Sequence, residues 1–177
     1  MEKEKLWMGV GISNNYVQYL KKLQVFVTEN YYSEVLLIFA DEINKKYNER
    51  DKDQFSKDLF NFAKKLSNKL KDTKLILKKW SFLSKNKGYL NILKHYTLLY
   101  KKDKNFKKDV LEVVLKNRKI FSQGKEEKRA NYVLEELSSI LFFFRQGYTK
   151  VGPLEKEKVF DDLAKKYSKE ELNFKWF

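Results

Sequence analysis

Apolar positions follow two rhythms along this chain, short unbroken runs and longer stretches spaced at three and four residues. Leu6-Trp7-Met8-Gly9-Val10-Gly11-Ile12 is a near-continuous apolar run that stops at Ser13-Asn14-Asn15, where turn-forming and helix-capping residues cluster; it predicts a buried strand. From Val17 to about Asn30, Leu20, Leu23 and Val27 recur at helical spacing. Val35-Leu36-Leu37-Ile38-Phe39-Ala40 then reads as a second buried strand, stopped by Asp41. Strand, helix and strand make a βαβ unit, and strands this uniformly apolar imply a parallel sheet covered on both faces, joined by right-handed crossovers.

The alternation repeats once more. Phe55, Leu59, Phe62, Leu66 and Leu70 mark one face of a long helix, and Lys74-Leu75-Ile76-Leu77 reads as a third strand ending near Trp80. Beyond it the pattern turns helical, over about Tyr89–Tyr100, Phe106–Asn117 and Lys125–Phe144. A short strand at Tyr148–Val151 and a helix at Leu154–Tyr167 follow. With one proline, six glycines and no linker or repeat, residues 1–177 are expected to form one domain. The fold predicted is a doubly wound α/β sheet with a helical second half. Such sheets bind ligands beyond the carboxyl ends of their strands, where Ser13, Asp41 and Trp80 would lie.

Composition narrows the chemistry. The chain has no cysteine, two methionines and one histidine, which excludes a disulfide framework and a cysteine-ligated zinc or iron–sulfur site, and leaves little for any metal. Met1-Glu2-Lys3-Glu4-Lys5 is charged with mixed signs, and no apolar segment long enough for a signal peptide or membrane span follows, so a cytoplasmic, non-membrane protein is expected. The formal charge of +14 comes far more from lysine than from arginine. Lysine contacts phosphate as a point charge, which favours backbone binding over base reading. A lysine-rich proteome would produce the same composition with no polyanionic partner.

Three constellations carry candidate chemistry. In Gly9-x-Gly11-x-Ser13, strand alternation puts all three residues on one side, so a groove free of side chains leads to a hydroxyl. Free N–H groups of a helix beginning near Asn15 would stabilise charge on an attacked carbonyl oxygen. The same glycines would equally let strand and helix pack closely, with Ser13 as a cap. Neither a third glycine nor a Gly-Lys-Ser/Thr follows, so this is no dinucleotide fingerprint and no phosphate loop. Tyr132 and Glu136, four apart on a strongly periodic helix, share a face, where a phenol can pass a proton and a carboxylate can hold an ammonium. Lys57, Asn61, Lys64, Asn68 and Lys71, flanked by Lys65 and Lys69, line the helix face opposite its apolar stripe as a basic ridge with little acid to balance it. His95 has no triad partner or co-ligand at identifiable spacing and reads as structural or surface.

Gly9-Val10-Gly11-Ile12-Ser13-Asn14-Asn15-Tyr16 and Asn131-Tyr132-Val133-Leu134-Glu135-Glu136-Leu137 together resemble, in the right order, the two signature segments of the cyclodipeptide synthases. The second strand with Asp41, the basic helix after it, Val113-Val114-Leu115-Lys116-Asn117-Arg118, and Tyr148 with Pro153-Leu154 are similar as well, so the likeness spans about Leu6 to Leu163. It implies an α/β, Rossmann-like, mostly parallel sheet flanked by helices, related to the catalytic domains of tyrosyl- and tryptophanyl-tRNA synthetases. It implies a monomer that uses aminoacyl-tRNAs and needs no cofactor, neither ATP nor metal.

By the resemblance, Ser13 would attack the ester of a first aminoacyl-tRNA, a second would extend the adduct to a dipeptidyl-enzyme, and that would cyclise off the serine. Tyr132 and Glu136 would hold the α-ammonium, and Tyr148 would assist proton transfer; an alternative alignment through Ser138-Ser139-Ile140-Leu141 puts Phe143 at the late tyrosine's position instead. Gly9, Gly11, Ile38 and Trp80 would border the first aminoacyl group, with Ala40, Asn117 and Arg118 nearer the second, and Tyr16 would belong to the same substrate-binding set. Lys57, Lys64, Lys65, Lys69 and Lys71 would take the acceptor stem. Two other readings stay open, a non-catalytic RNA-binding domain using the basic face and an α/β-hydrolase-like esterase. The latter lacks both a glycine after the nucleophile and a credible histidine.

Overall fold

The computed structural model describes residues 4–10, 16–30, 32–39, 60–61, 63–66, 68, 70, 72–116, 126–152 and 154–177, with no account of the side chains of 16–17 and 154–157. Ser13, Gly11, Ala40, Asp41, Lys57, Lys69, Lys71, Asn117, Arg118 and the side chain of Tyr16 lie outside the described residues. The apolar runs become strands β1 (Lys5–Val10), β2 (Glu34–Phe39) and β3 (Lys74–Lys79). Helix α1 (Tyr16–Asn30) joins the first two, and residues 60–61 and 63–66 are helical between the second and third. A six-residue 3-10 turn at Trp80–Lys85 leads into α2 (Lys87–Lys102), α3 (Lys104–Lys116) and α4 (Glu126–Phe144). Strand β4 (Tyr148–Gly152), helix α5 (Leu154–Tyr167) and strand β5 (Phe174–Trp176) complete the chain. The α/β class and the helical second half follow the sequence pattern. The short β5, hidden in a charged tail, was not anticipated.

All pairings are parallel and the strand order is β3-β2-β1-β4-β5. Alternation along the strands sorts the core into two layers. Leu6, Met8, Val10, Val35, Leu37 and Phe39 pack with Leu20, Leu23 and Val27 of α1 and with Ala63 and Leu66. Trp7, Leu36 and Ile38 pack on the other face with apolar residues of α2, α3, α4 and α5. A fully buried Leu or Phe side chain contributes about 1.5–3 kcal/mol, so period-two burial fixes which face each β1 residue presents.

Helix ends are set by local chemistry. Asn86 Oδ1 accepts from the N–H groups of Gly88 at 2.9 Å and Tyr89 at 3.3 Å to open α2. Asp103 does the same for Asn105 and Phe106 at the start of α3. At the far end of α4, Gly147 takes φ +80°, a left-handed conformation that ends the helix, and its N–H bonds the Phe144 carbonyl at 2.9 Å. That reversal sends the chain straight into β4, so α4 runs antiparallel to the strands it covers.

Candidate functional site

The strand order reverses between β1 and β4, and the crevice beyond the carboxyl ends at such a switch point is where open parallel sheets bind ligands. Gly9 is the penultimate residue of β1 and, by alternation, shares Trp7's side of the sheet, the side covered by α4. Among the described residues, a Cβ added at Gly9 would meet Cζ3 of Trp7 alone, at 4.0 Å. Among the described residues the glycine therefore leaves room above a tryptophan floor.

Ile38 pairs in register with Gly9, and Trp80 follows the last residue of β3; both belong to the same buried layer as Trp7. Three of the predicted pocket residues, Gly9, Ile38 and Trp80, thus share one face near the carboxyl edge. Trp7, which sequence reasoning missed, joins them; the signal was the same two-residue step that singled out 9, 11 and 13, extended one step back.

Tyr132 and Glu136 are brought together as their spacing required. The Tyr132 hydroxyl donates to Glu136 Oε1 at 2.9 Å, and the Tyr132 ring stands edge-on to Phe160 at 6.2 Å between centroids. Their height follows from packing. Phe143 lies against Trp7 with centroids 4.8 Å apart. Seven helical residues back from Phe143 to Glu136 rise about 10 Å, and three strand residues from Trp7 to Val10 advance about 10 Å. Glu136 accordingly stands level with the carboxyl end of β1, and Ser13 follows that end by three residues of chain. The neighbouring serines of α4 are occupied otherwise: Ser138 Oγ bonds the Leu134 carbonyl at 2.6 Å and Ser139 Oγ the Glu136 carbonyl at 2.8 Å, both fully buried.

The structure does not bring Tyr148 to this place. Tyr148 opens β4 in register with Lys5, at the amino edge of the sheet, about 16 Å in strand rise from Val10. Its hydroxyl donates to Glu34 Oε1, at the first residue of β2. Burial, and then that hydrogen bond to a carboxylate, push the phenol well above the usual tyrosine range. Phe143, the other occupant considered for the late tyrosine, is buried against Trp7 and Tyr148. The residue at the carboxyl end of β4 is Gly152, which offers no side chain. A tyrosine four residues upstream was misread because the sequence alone does not tell which end of a five-residue strand faces the site.

Beside the site the sequence also concealed an ion pair. Lys150, in register with Trp7, is 4% exposed, and its Nζ lies 2.7 Å from Oδ1 of Asp161, which is 2% exposed. Oδ2 of Asp161 accepts from Trp176 Nε1 at 3.0 Å. Among the ridge residues, Lys64 and Lys65 are described and exposed. His95 is exposed, with its ring tilted toward Tyr96 at 5.6 Å. No group of metal-ligating side chains occurs among the described residues, and no helix there is long and apolar enough to cross a membrane.

A five-stranded parallel sheet of this order, helix-covered on both faces, is the Rossmann-like architecture of class I aminoacyl-tRNA synthetases and cyclodipeptide synthases. Among solved structures the chain is similar to a cyclodipeptide synthase (CDPS) from Staphylococcus haemolyticus, with TM-score 0.73, 18% identity and coverage of 98% of this chain and 88% of that one. It is also similar to the cyclodipeptide synthase from Candidatus Glomeribacter gigasporarum bound to Phe-tRNAPhe, with TM-score 0.60, 14% identity and coverage of 99% and 88%. Tyrosyl-tRNA synthetase from Archaeoglobus fulgidus, complexed with L-tyrosine, matches at TM-score 0.61 and 16% identity over 94% of this chain and 50% of that one. The chain has the fold of the cyclodipeptide synthases. No family model and no curated protein matches it by sequence.

Proposed function

We propose that this protein is a tRNA-dependent cyclodipeptide synthase, working through an aminoacyl ester on Ser13. The observation that carries the reading is the Tyr132–Glu136 pair, standing level with the carboxyl end of β1 on the face where Gly9 leaves space. A carboxylate with a phenol at 2.9 Å is suited to an α-ammonium, and a groove beside it can take the acyl carbon. A solved neighbour of the same fold carries Phe-tRNAPhe, which supports aminoacyl-tRNA as the substrate class.

The Ser13 Oγ attacks the ester carbonyl, and the tRNA hydroxyl departs with the serine proton. The freed amine of the bound residue then attacks the ester carbonyl of a second aminoacyl-tRNA, releasing a second tRNA. The new terminal amine closes on the seryl ester, forming the second amide and restoring the Ser13 hydroxyl. An aminoacyl-tRNA ester is already activated, so no strong base is required, in keeping with a chain whose one histidine is exposed on α2. Tyr148 has no part in this scheme, and the proton leaves through Glu136, Tyr132 or solvent.

The test is mass spectrometry on protein mixed with charged tRNA, and on culture medium for diketopiperazines. Wild type should carry an aminoacyl mass on Ser13 and release cyclic dipeptide; Ser13→Ala should do neither while melting as wild type does. Normal product formation by Ser13→Ala would sink the mechanism. Tight binding of uncharged tRNA with neither adduct nor product would favour a non-catalytic RNA-binding domain.

A further inference from the structure

The positive charge of this protein is concentrated. Residues 74–108 contain eleven lysines and one acidic residue, Asp103, so this fifth of the chain carries ten of the fourteen surplus charges. The 73 residues before it and the 69 after it each carry a surplus of two. Lysine-rich composition alone would spread the surplus evenly. The ridge read from the sequence, Lys57 to Lys71, carries five lysines against Asp58, a shorter basic segment that Asp72 closes.

The structure shows what this segment builds. β3 is an edge strand ending in Lys78 and Lys79, both exposed. Lys85 closes the 3-10 turn and Lys87 opens α2. Along α2, Lys87, Leu90, Lys94, Leu98 and Lys101 recur every three or four residues and all are exposed, the two leucines at 41% and 44%. They form one solvent stripe about 21 Å long. Lys102, Lys104, Lys107 and Lys108 extend it, all exposed. Lys74 is bridged to Glu34 at 3.1 Å and Lys108 acts on the neighbouring Asp109, but the other nine lysines have no ion pair among the described residues. Two instead lie over aromatic rings, Lys78 over Phe82 at 5.1 Å and Lys107 over Tyr100 at 5.6 Å. Phe82 is itself 39% exposed.

We infer that the exposed lysine stripe of α2, with the 3-10 turn that leads into it, is a phosphate-contacting surface of this protein, and that its ligand is a folded RNA. Lys87, Lys94 and Lys101 on one stripe of α2, with Lys85, Lys102 and Lys104 at its ends, repel each other in the free protein, and a polyanion relieves that repulsion while releasing its own counterions. Lysine in place of arginine fits contact with the sugar-phosphate backbone and not with base edges. The inference rests on the reading above only for the choice of tRNA as the RNA; its location rests on charge and exposure.

The experiment measures affinity for an uncharged tRNA transcript at 50–200 mM salt, comparing wild type with the triple variant Lys87→Glu, Lys94→Glu, Lys101→Glu. A control carries the same charge change on exposed lysines elsewhere, Lys21→Glu, Lys158→Glu, Lys169→Glu. The α2 variant should bind at least tenfold more weakly with a log–log salt slope shallower by about three, and the control should lose less than threefold. A neutral Lys→Gln triple at the same α2 positions, expected to lose affinity less steeply, serves if the glutamates disturb the helix; circular dichroism reports the fold of each. Equal losses in the α2 and control variants would reduce the effect to net charge and overturn the inference. So would unchanged binding by both α2 variants, or tighter binding to phosphatidylglycerol vesicles than to tRNA. Failure of the catalytic reading would show separately, as RNA binding through this face without cyclic dipeptide.

Discussion

Glu136 and Tyr132 share one hydrogen bond but have unequal work. A carboxylate facing an ammonium makes a charged contact of about 1.5–3 kcal/mol, and a neutral phenol contributes about 1 kcal/mol. Glu136→Gln should therefore lower kcat/KM for a charged tRNA about 10- to 100-fold and Tyr132→Phe about 3- to 10-fold; a smaller loss for the glutamate than for the tyrosine would reverse the assignment. Gly9→Ala separates the two uses of that glycine. Its new Cβ meets, among the described residues, Trp7 alone at 4.0 Å, so stability should hold within about 1 kcal/mol while aminoacylation of Ser13 slows. An unfolded Gly9→Ala protein would mean the glycine serves packing. Tyr148→Phe should retain cyclic dipeptide formation within about threefold. Its effect is on acid stability through Glu34: burial raises that carboxyl's pKa, but the bonds from Tyr148 and Lys74 outweigh it and hold it below 4.5 in the fold. A lowered pKa stabilises the protein above the unfolded value and is lost as pH falls through the folded value. Urea melts taken from about pH 5 downward should show wild type losing more stability than Tyr148→Phe.

Among elements, β4 and α5 depend on a contact inside the core. Lys150 and Asp161 are almost wholly buried, and Trp176 of β5 bonds the same carboxylate, so one ion pair ties two strands to a helix. Lys150→Ala would strand a buried charge and should cost about 3–5 kcal/mol in urea unfolding, whereas Lys150→Met with Asp161→Leu should cost far less. Equal losses in the two would mean packing, not charge, sets the penalty. This pair was invisible in the sequence, since a lysine in a short run such as Tyr148-Thr149-Lys150-Val151 reads as an exposed position and its partner stands eleven residues on. By contrast α4 was legible almost to its ends. Its apolar stripe recurs strictly, and the Tyr132–Glu136 contact is a consequence of helical pitch that needs no tertiary information.

At the scale of the molecule, strand order decides where chemistry can sit. The order β3-β2-β1-β4-β5 puts the glycine-cleared end of β1 at the point of reversal and brings α4 over it. The same order sends β3 to an outer edge, where its terminal Lys78 and Lys79 are both exposed. At 18% identity and below, the same architecture recurs in the cyclodipeptide synthases compared above. That is expected where apolar rhythm, and not particular side chains, specifies layers and crossovers.

By itself the chain's pattern determined the strands, the helices, the parallel class and the local pairing of Tyr132 with Glu136, because each depends on periodicity within one element. Tertiary structure decided which edge Tyr148 occupies, which side chain stands beside Gly9 and where Lys150 finds its counter-ion. These depend on register and on contacts between residues far apart in the chain, which no local spacing encodes.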